Sequence, residues 1–168
     1  MSNQSDYTPE EWKTICAAPV MAGLFVSASD MSGPIGLVKE AFAIGKAFME
    51  SASAAPNDLI KAISEAIKAR GGKPEMPDLP SDSAGVGEAL IEGCREAAAL
   101  VLSKSPTEAD EYKTWLVSLA RRTAHASKEG GFLGIGGTLV SEAEDSAVRE
   151  LASALGVSSQ SGQIGTQA

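Results

Sequence analysis

Apolar residues recur along this chain with the spacing of α-helices, and several of the apolar stretches follow recognisable helix-start signals. Residues 8–11, Thr-Pro-Glu-Glu, place a capping threonine before a proline and a glutamate, which is the pattern of a capping box. The apolar positions that follow predict a helix to about Ser29, bent at Pro19. Its candidate buried residues are Trp12, Ile15, Cys16, Val20, Leu24 and Phe25.

A second helix is predicted after Gly33-Pro34, over residues 35–49, where almost every face is apolar. We expect this helix to be central, either in the core of a monomer or in a dimer interface. Asn57-Asp58 then provides the N-cap of a third helix, which has one apolar face and ends at Gly71-Gly72.

Residues 72–83 contain three prolines and no helical period, so they predict an exposed connection. A fourth helix follows over residues 86–101. Residues 105–108, Ser-Pro-Thr-Glu, have the sequence of a second capping box and predict the start of a fifth helix. A third capping box at residues 141–144 predicts a sixth helix that ends at Gly156.

The number and order of these stretches predict an all-α fold, a single compact bundle of about six helices over residues 1–156. Residues 157–168 are rich in Ser, Gln and Gly and predict a disordered tail. Residues 11–14 (Glu-Trp-Lys-Thr) and 111–114 (Glu-Tyr-Lys-Thr) resemble each other. The two halves of the chain are therefore either related by an internal duplication or similar by chance, because the chain is rich in alanine.

The net charge and the hydropathy of the chain limit the kinds of partner that we expect this protein to bind. The 168 residues carry a formal net charge of −8, which repels phosphate backbones, so we expect no nucleic-acid partner. The start of the chain lacks the basic and apolar regions of a signal peptide. The longest apolar stretch, about residues 15–26, is interrupted by Pro19 and Gly23, so we expect no transmembrane segment and a cytoplasmic, acidic protein.

The residues that carry chemistry give no catalytic or metal-binding motif. His125 is the single histidine, whereas metal sites built on imidazole need two or three. Cys16 and Cys94 lie among small and apolar residues and are expected to be buried free thiols. The carboxylates at residues 142–145 serve as helix-start charges, although with Glu129 they form an alternative oxygen-only site for a hard cation. We therefore predict no enzyme activity and no cofactor.

A glycine-rich segment, residues 130–137, lies between the fifth and sixth predicted helices and contains Phe132, Leu133 and Ile135. It lacks the strand and the Lys-Ser/Thr ending of a nucleotide-binding loop. These three side chains either turn inward as a hydrophobic plug or point outward as a contact for a partner or a membrane surface.

Two functions follow from these patterns. The first is a non-enzymatic helical module that forms a homodimer or homo-oligomer, or docks to a protein partner, through the second helix and the segment with Phe132, Leu133 and Ile135. The second is a carrier that encloses a small hydrophobic ligand in a bundle cavity. The candidate wall residues of that cavity are Phe25, Phe42, Phe48 and Trp115.

Residues 119–156 resemble the helix–loop–helix pattern of the TerB-like (tellurite-resistance-associated) proteins. The resemblance rests on Ala124, Ala126 and Gly130, on Val-Ser-Glu-Ala-Glu at 140–144, and on Leu-Ala-Ser-Ala-Leu-Gly at 151–156. It implies a compact all-α domain that acts in protein interactions and stress responses. The acidic Ala-Asp-Gly turn of that family is replaced here by residues 126–130, so the resemblance carries the fold and not the metal ligands.

Overall fold

The computed structural model describes residues 4–29, 44, 48, 57–71, 79, 83–129 and 141–158. The regular structure of these residues is entirely helical, which confirms the all-α fold class. A 3-10 turn at Gln4–Asp6 precedes the first α-helix. The α-helices are α1 (Pro9–Ser29), α2 (Asp58–Ala69), α3 (Ser83–Lys104), α4 (Ala109–Glu129) and α5 (Glu142–Leu155).

The described part of the chain contains five α-helices, where the sequence predicted about six in all. Most of the predicted second helix lies outside the described residues, but its residues Ile44 and Phe48 are helical and buried. Of the predicted connection 72–83, Leu79 packs against the core and Ser83 begins α3. The predicted tail starts at Val157, which also packs against the core, and its residues 159–168 lie outside the described part.

Contacts between α1 and its neighbours define the direction of each helix. Helix α3 runs antiparallel to α1, because Gly87 faces Phe25 whereas Cys94 reaches the Ala18 carbonyl. Helix α4 runs parallel to α1: the Tyr112 hydroxyl reaches the Ile15 carbonyl, and Thr123 lies beside Gly23. One end of the bundle therefore holds the starts of α1 and α4, and the opposite end holds Ser29, Ser83 and Glu129.

Small residues allow the central helices to approach closely. A Cβ added to Gly23 would lie 2.9 Å from the Ile44 Cγ1 atom and 3.2 Å from the Thr123 hydroxyl oxygen. The Met21 side chain leaves even less room beside Gly93 on α3. At these glycines the helices touch directly, and an added side chain would require Ile44 or Met21 to shift. Buried alanines of α1, Ala17, Ala18 and Ala22, pack in the same core.

Tyr112 satisfies a carbonyl that Pro19 leaves without its helical donor. Pro19 lies inside α1 and is buried, and proline has no amide hydrogen to donate to the carbonyl four residues earlier. That carbonyl belongs to Ile15, and it accepts a hydrogen bond of 2.8 Å from the Tyr112 hydroxyl. The interior proline is thus tolerated because a side chain of α4 replaces the missing donor.

Three of the four predicted helix caps are present. The Thr8 amide donates to the Glu11 carboxylate and the Glu11 amide donates to the Thr8 hydroxyl, which completes the first capping box. Asn57 caps α2, and the capping box of α5 is also complete, with Ser141 as its N-cap. Helix α5 ends at Gly156 in the left-handed conformation, as predicted.

Candidate functional site

The cavity-wall residues that the structure describes lie in the core. Phe25, Phe48 and Trp115 are all buried, and Phe42 lies outside the described residues. The rings of Phe48 and Trp115 pack with their centroids 6.2 Å apart, and Trp115 also packs on Tyr112 at 6.1 Å. The structure therefore brings Phe48 and Trp115 together. The three residues predicted to bind a partner, Phe132, Leu133 and Ile135, lie outside the described part of the chain.

Trp115 carries an unused hydrogen-bond donor in this core. The side chain is only 5% exposed, and its indole Nε1–H has no partner among the described residues. Buried polar groups in folded proteins are nearly always paired, so an unpaired indole N–H calls for an acceptor such as a water molecule or a ligand.

A surface groove of about 590 Å³ lies between α4 and the end of α5. Val117 and Ala152, both buried, form part of its floor. The polar lining includes an ion pair between Lys113 and Asp110, whose nitrogen and oxygen are 3.1 Å apart, and the exposed Arg121. Further lining is provided by Thr114, Ser118, Gly156, Val157 and Ser158.

A second groove, of about 470 Å³, lies between the start of α1 and the end of α2. Trp12 and Cys16 face it from α1, and Ile67 and Arg70 face it from the end of α2. Neither of these two grooves is lined by the predicted cavity residues Phe25, Phe48 or Trp115.

The turn between α3 and α4 departs from the sequence prediction. Residues 105–108 do not form a capping box, because the Ser105 hydroxyl is hydrogen-bonded to the Tyr7 hydroxyl at 2.7 Å. The Glu108 carboxylate instead accepts a bond of 3.3 Å from the Leu59 amide in the first turn of α2. The prediction was wrong because both side chains serve a distant segment of the chain, which the local sequence pattern cannot reveal.

Together these contacts form what we call the clamped end, defined by Tyr7, Asn57, Ser105, Glu108 and Glu111. Asn57 uses its oxygen to cap α2, accepting from the Ile60 amide at 2.9 Å, and its nitrogen donates to the Glu111 carboxylate at 2.6 Å. Negative carboxylates at the start of α2 are also favourable for its helix dipole. The clamped end therefore anchors the start of α2 and the segment that contains Tyr7 to the turn between α3 and α4.

The clamped end has one unsatisfied atom. Glu108 is 8% exposed, and its second carboxylate oxygen has no hydrogen-bond partner among the described residues. Burial raises the pKa of the nearby Tyr7 hydroxyl, while its bond to Ser105 lowers that pKa and the Glu108 charge raises it. Tyr7 therefore stays protonated and able to share its hydrogen with Ser105.

The two cysteines are free and buried, as predicted. Burial raises the pKa of both the Cys16 and the Cys94 thiol to about 12, so that little of the nucleophilic thiolate exists at neutral pH. His125 is exposed on α4. No group of three His, Cys, Asp or Glu side chains in the described ranges is placed to hold a metal ion.

Judged by its length and apolar composition alone, helix α1 could cross a membrane. Most of its apolar stretch is buried inside the bundle, and the core helix of a globular protein has the same length and composition. This helix is therefore weak evidence for membrane insertion.

The sequence pattern predicted no polar role for Tyr112. A signal for that role was present, because a proline inside a predicted helix implies a carbonyl that needs another donor. The roles of Tyr7 and Glu108 had no such local signal, since their partners are many residues away in sequence.

Comparison of the chain with protein-family models, with curated proteins and with solved structures finds no significant match.

Proposed function

We propose that this protein is a non-enzymatic, cytosolic helical module that self-associates or docks to a protein partner through the predicted second helix and the segment containing Phe132, Leu133 and Ile135. The TerB-like resemblance of residues 119–156 supports this class of function and suggests a role in stress responses. The high thiol pKa values of Cys16 and Cys94 argue in the same direction, because they remove the nucleophiles that an enzyme using His125 would need.

The observation that carries the proposal is the contrast between two helix connections. Helices α3 and α4 are antiparallel neighbours joined by residues 105–108 alone. Helices α4 and α5 are also antiparallel neighbours, since the end of α5 borders the start of α4 in the groove. They are joined by residues 130–141. Such pairs normally need only about 2–8 connecting residues.

The longer connection therefore exceeds what chain closure requires, and it contains three large apolar residues. Longer loops in compact domains commonly serve binding. The described helices share a continuous core of buried side chains, and we infer that the extra apolar residues serve an interface. Burial of Phe132, Leu133 and Ile135 between two copies provides the driving force for association.

Native mass spectrometry tests this proposal. We expect the wild-type protein to be a dimer and Leu133→Asp to be a monomer, because a buried carboxylate in an apolar interface is costly. The matched control is Leu102→Asp, since Leu102 on α3 is 51% exposed and its substitution leaves the dimer intact. A monomeric wild type contradicts self-association, and dissociation of both variants contradicts an interface formed by the segment that contains Leu133.

A second candidate function, the carrier of a small hydrophobic ligand, is favoured by the unpaired indole N–H of Trp115 beside the Phe48 ring. A ligand with one hydrogen-bond acceptor would satisfy that donor. The same mass spectra test this candidate, because a monomer with additional bound mass that Trp115→Phe removes supports the carrier and contradicts self-association.

A further inference from the structure

We propose that the groove between α4 and α5 is the docking site of the chain's own residues 159–168, with Ile164 as the apolar anchor. The groove is lined by α4 residues between Asp110 and Arg121, so docking there does not depend on the dimer proposed above, which involves the segment that follows Glu129.

The way in which α5 ends directs the chain to this groove. Gly156 adopts the left-handed conformation, and the Val157 amide bonds to the Ala152 carbonyl at 2.9 Å while the Gly156 amide bonds to the Ser153 carbonyl at 3.1 Å. This is the Schellman arrangement, which reverses the chain at a helix end. Val157 packs against the core and lines the groove together with Ser158. The end of the described chain therefore lies at the groove.

Chain length allows the contact. The six residues from Ser158 to Ile164 span at most about 20 Å when extended. The lining of α4 from Lys113 to Arg121 covers eight residues, or about 12 Å of helix. Ile164 can therefore reach every position along the groove, including Val117 and Ala152 in its floor.

The chemistry of the two surfaces matches. Residues 159–168 have no charged side chain and are rich in hydroxyl and amide groups. The groove offers the hydroxyls of Thr114 and Ser118 and the guanidinium of Arg121, which can bond to the carbonyls of an extended segment. Because the segment is tethered, its effective concentration is on the order of millimolar, so even a weak intrinsic affinity leads to docking.

A spin label on Gln163→Cys provides the test, since the native thiols of Cys16 and Cys94 are buried and react more slowly than an exposed thiol. We expect strong paramagnetic broadening of the amide signals of Ser118 and Arg121 at the far part of the groove. The amides of Glu88, Glu92 and Glu96, exposed on α3, serve as the internal reference and stay sharp.

Ile164→Ser in the labelled chain is the matched variant, and it leaves the folded domain untouched. We expect it to reduce the broadening at Ser118 and Arg121 at least threefold. Equal broadening with and without Ile164 overturns the proposal. So does broadening that appears equally in a mixture of spin-labelled chains and separate isotope-labelled chains, because the segment would then occupy the groove of a second copy.

Discussion

The two ends of the bundle are held by different kinds of contact. At the clamped end, hydroxyl, amide and carboxylate groups join segments that lie far apart in sequence, as in the bonds of Tyr7 to Ser105 and of Glu108 to the Leu59 amide. Toward the opposite end, Gly23 allows direct packing against Ile44 and Thr123. Directional hydrogen bonds specify one arrangement of α2, whereas close packing specifies the distance between α1, α3 and α4.

The two kinds of contact are weakened by opposite kinds of substitution. Polar contacts lose their energy when one partner is removed and the other stays buried. Glycine contacts are lost when an atom is added.

Tyr112→Phe has the largest expected effect, because it leaves the Ile15 carbonyl buried without a donor. We expect a loss of about 2 kcal/mol in the free energy of unfolding, measured by urea denaturation. In the Pro19→Ala background the new backbone amide at position 19 can donate to Ile15, so the same Tyr112→Phe change costs less than about 1 kcal/mol. An equal cost in both backgrounds contradicts the replacement of the proline's missing donor by Tyr112.

Gly23→Ala tests the packed side of the comparison. The added methyl group meets the stiff Ile44 and Thr123 side chains, and we expect destabilisation of about 1–2 kcal/mol despite the better helix propensity of alanine. Gly87→Ala is the matched control, because its nearest neighbour, Phe25, lies 4.0 Å from the new atom. Gly87→Ala should stabilise the protein by about 0.5–1 kcal/mol. Thermal unfolding of both variants measures the difference, and a stabilised Gly23→Ala would show that this contact is loose.

Asn57→Ala removes both the cap of α2 and the bond to Glu111. We expect a loss of about 1 kcal/mol, with faster amide hydrogen exchange confined to α2. Asn57→Asp separates the two roles, because aspartate keeps the cap and loses the donor to Glu111. If exchange in α2 is unchanged in Asn57→Ala, the clamped end does not anchor this helix.

The smallest effect is expected at Lys104, whose Nζ atom lies 2.5 Å from a Glu11 carboxylate oxygen. The hydrogen bond from Lys104 lowers the pKa of Glu11, with further help from Thr8. A depressed pKa in the folded state stabilises the protein above the ordinary glutamate pKa, and this contribution is lost as the pH falls through the folded value.

Lys104→Met should therefore reduce the stability of the protein at neutral pH and have less effect under acidic conditions. Denaturation curves of both proteins over a series of pH values measure this difference. A gap between wild type and variant that persists after Glu11 is protonated would assign the role of Lys104 to its other contacts, the Asp6 carbonyl at 3.4 Å and the Tyr7 ring at 5.8 Å.

The candidate site was predictable only in part. The spacing of apolar residues predicted that Phe25, Phe48 and Trp115 would lie on helices, and all three are buried in the core. It could not show that Trp115 has an unpaired donor, since pairing depends on every neighbour in space. The α4–α5 groove was not predicted either, because it requires the end of one helix to lie beside the start of another.

The sequence by itself determined the all-α class, the starts of α1, α2 and α5, and the end of α5 at Gly156. Each of these depends on side chains within a few residues of the backbone groups that they satisfy. The tertiary structure alone decided the roles of Ser105, Glu108 and Tyr112. Their partners are supplied by segments that are distant in sequence, and a buried polar group pairs with whichever complementary group the fold brings within reach.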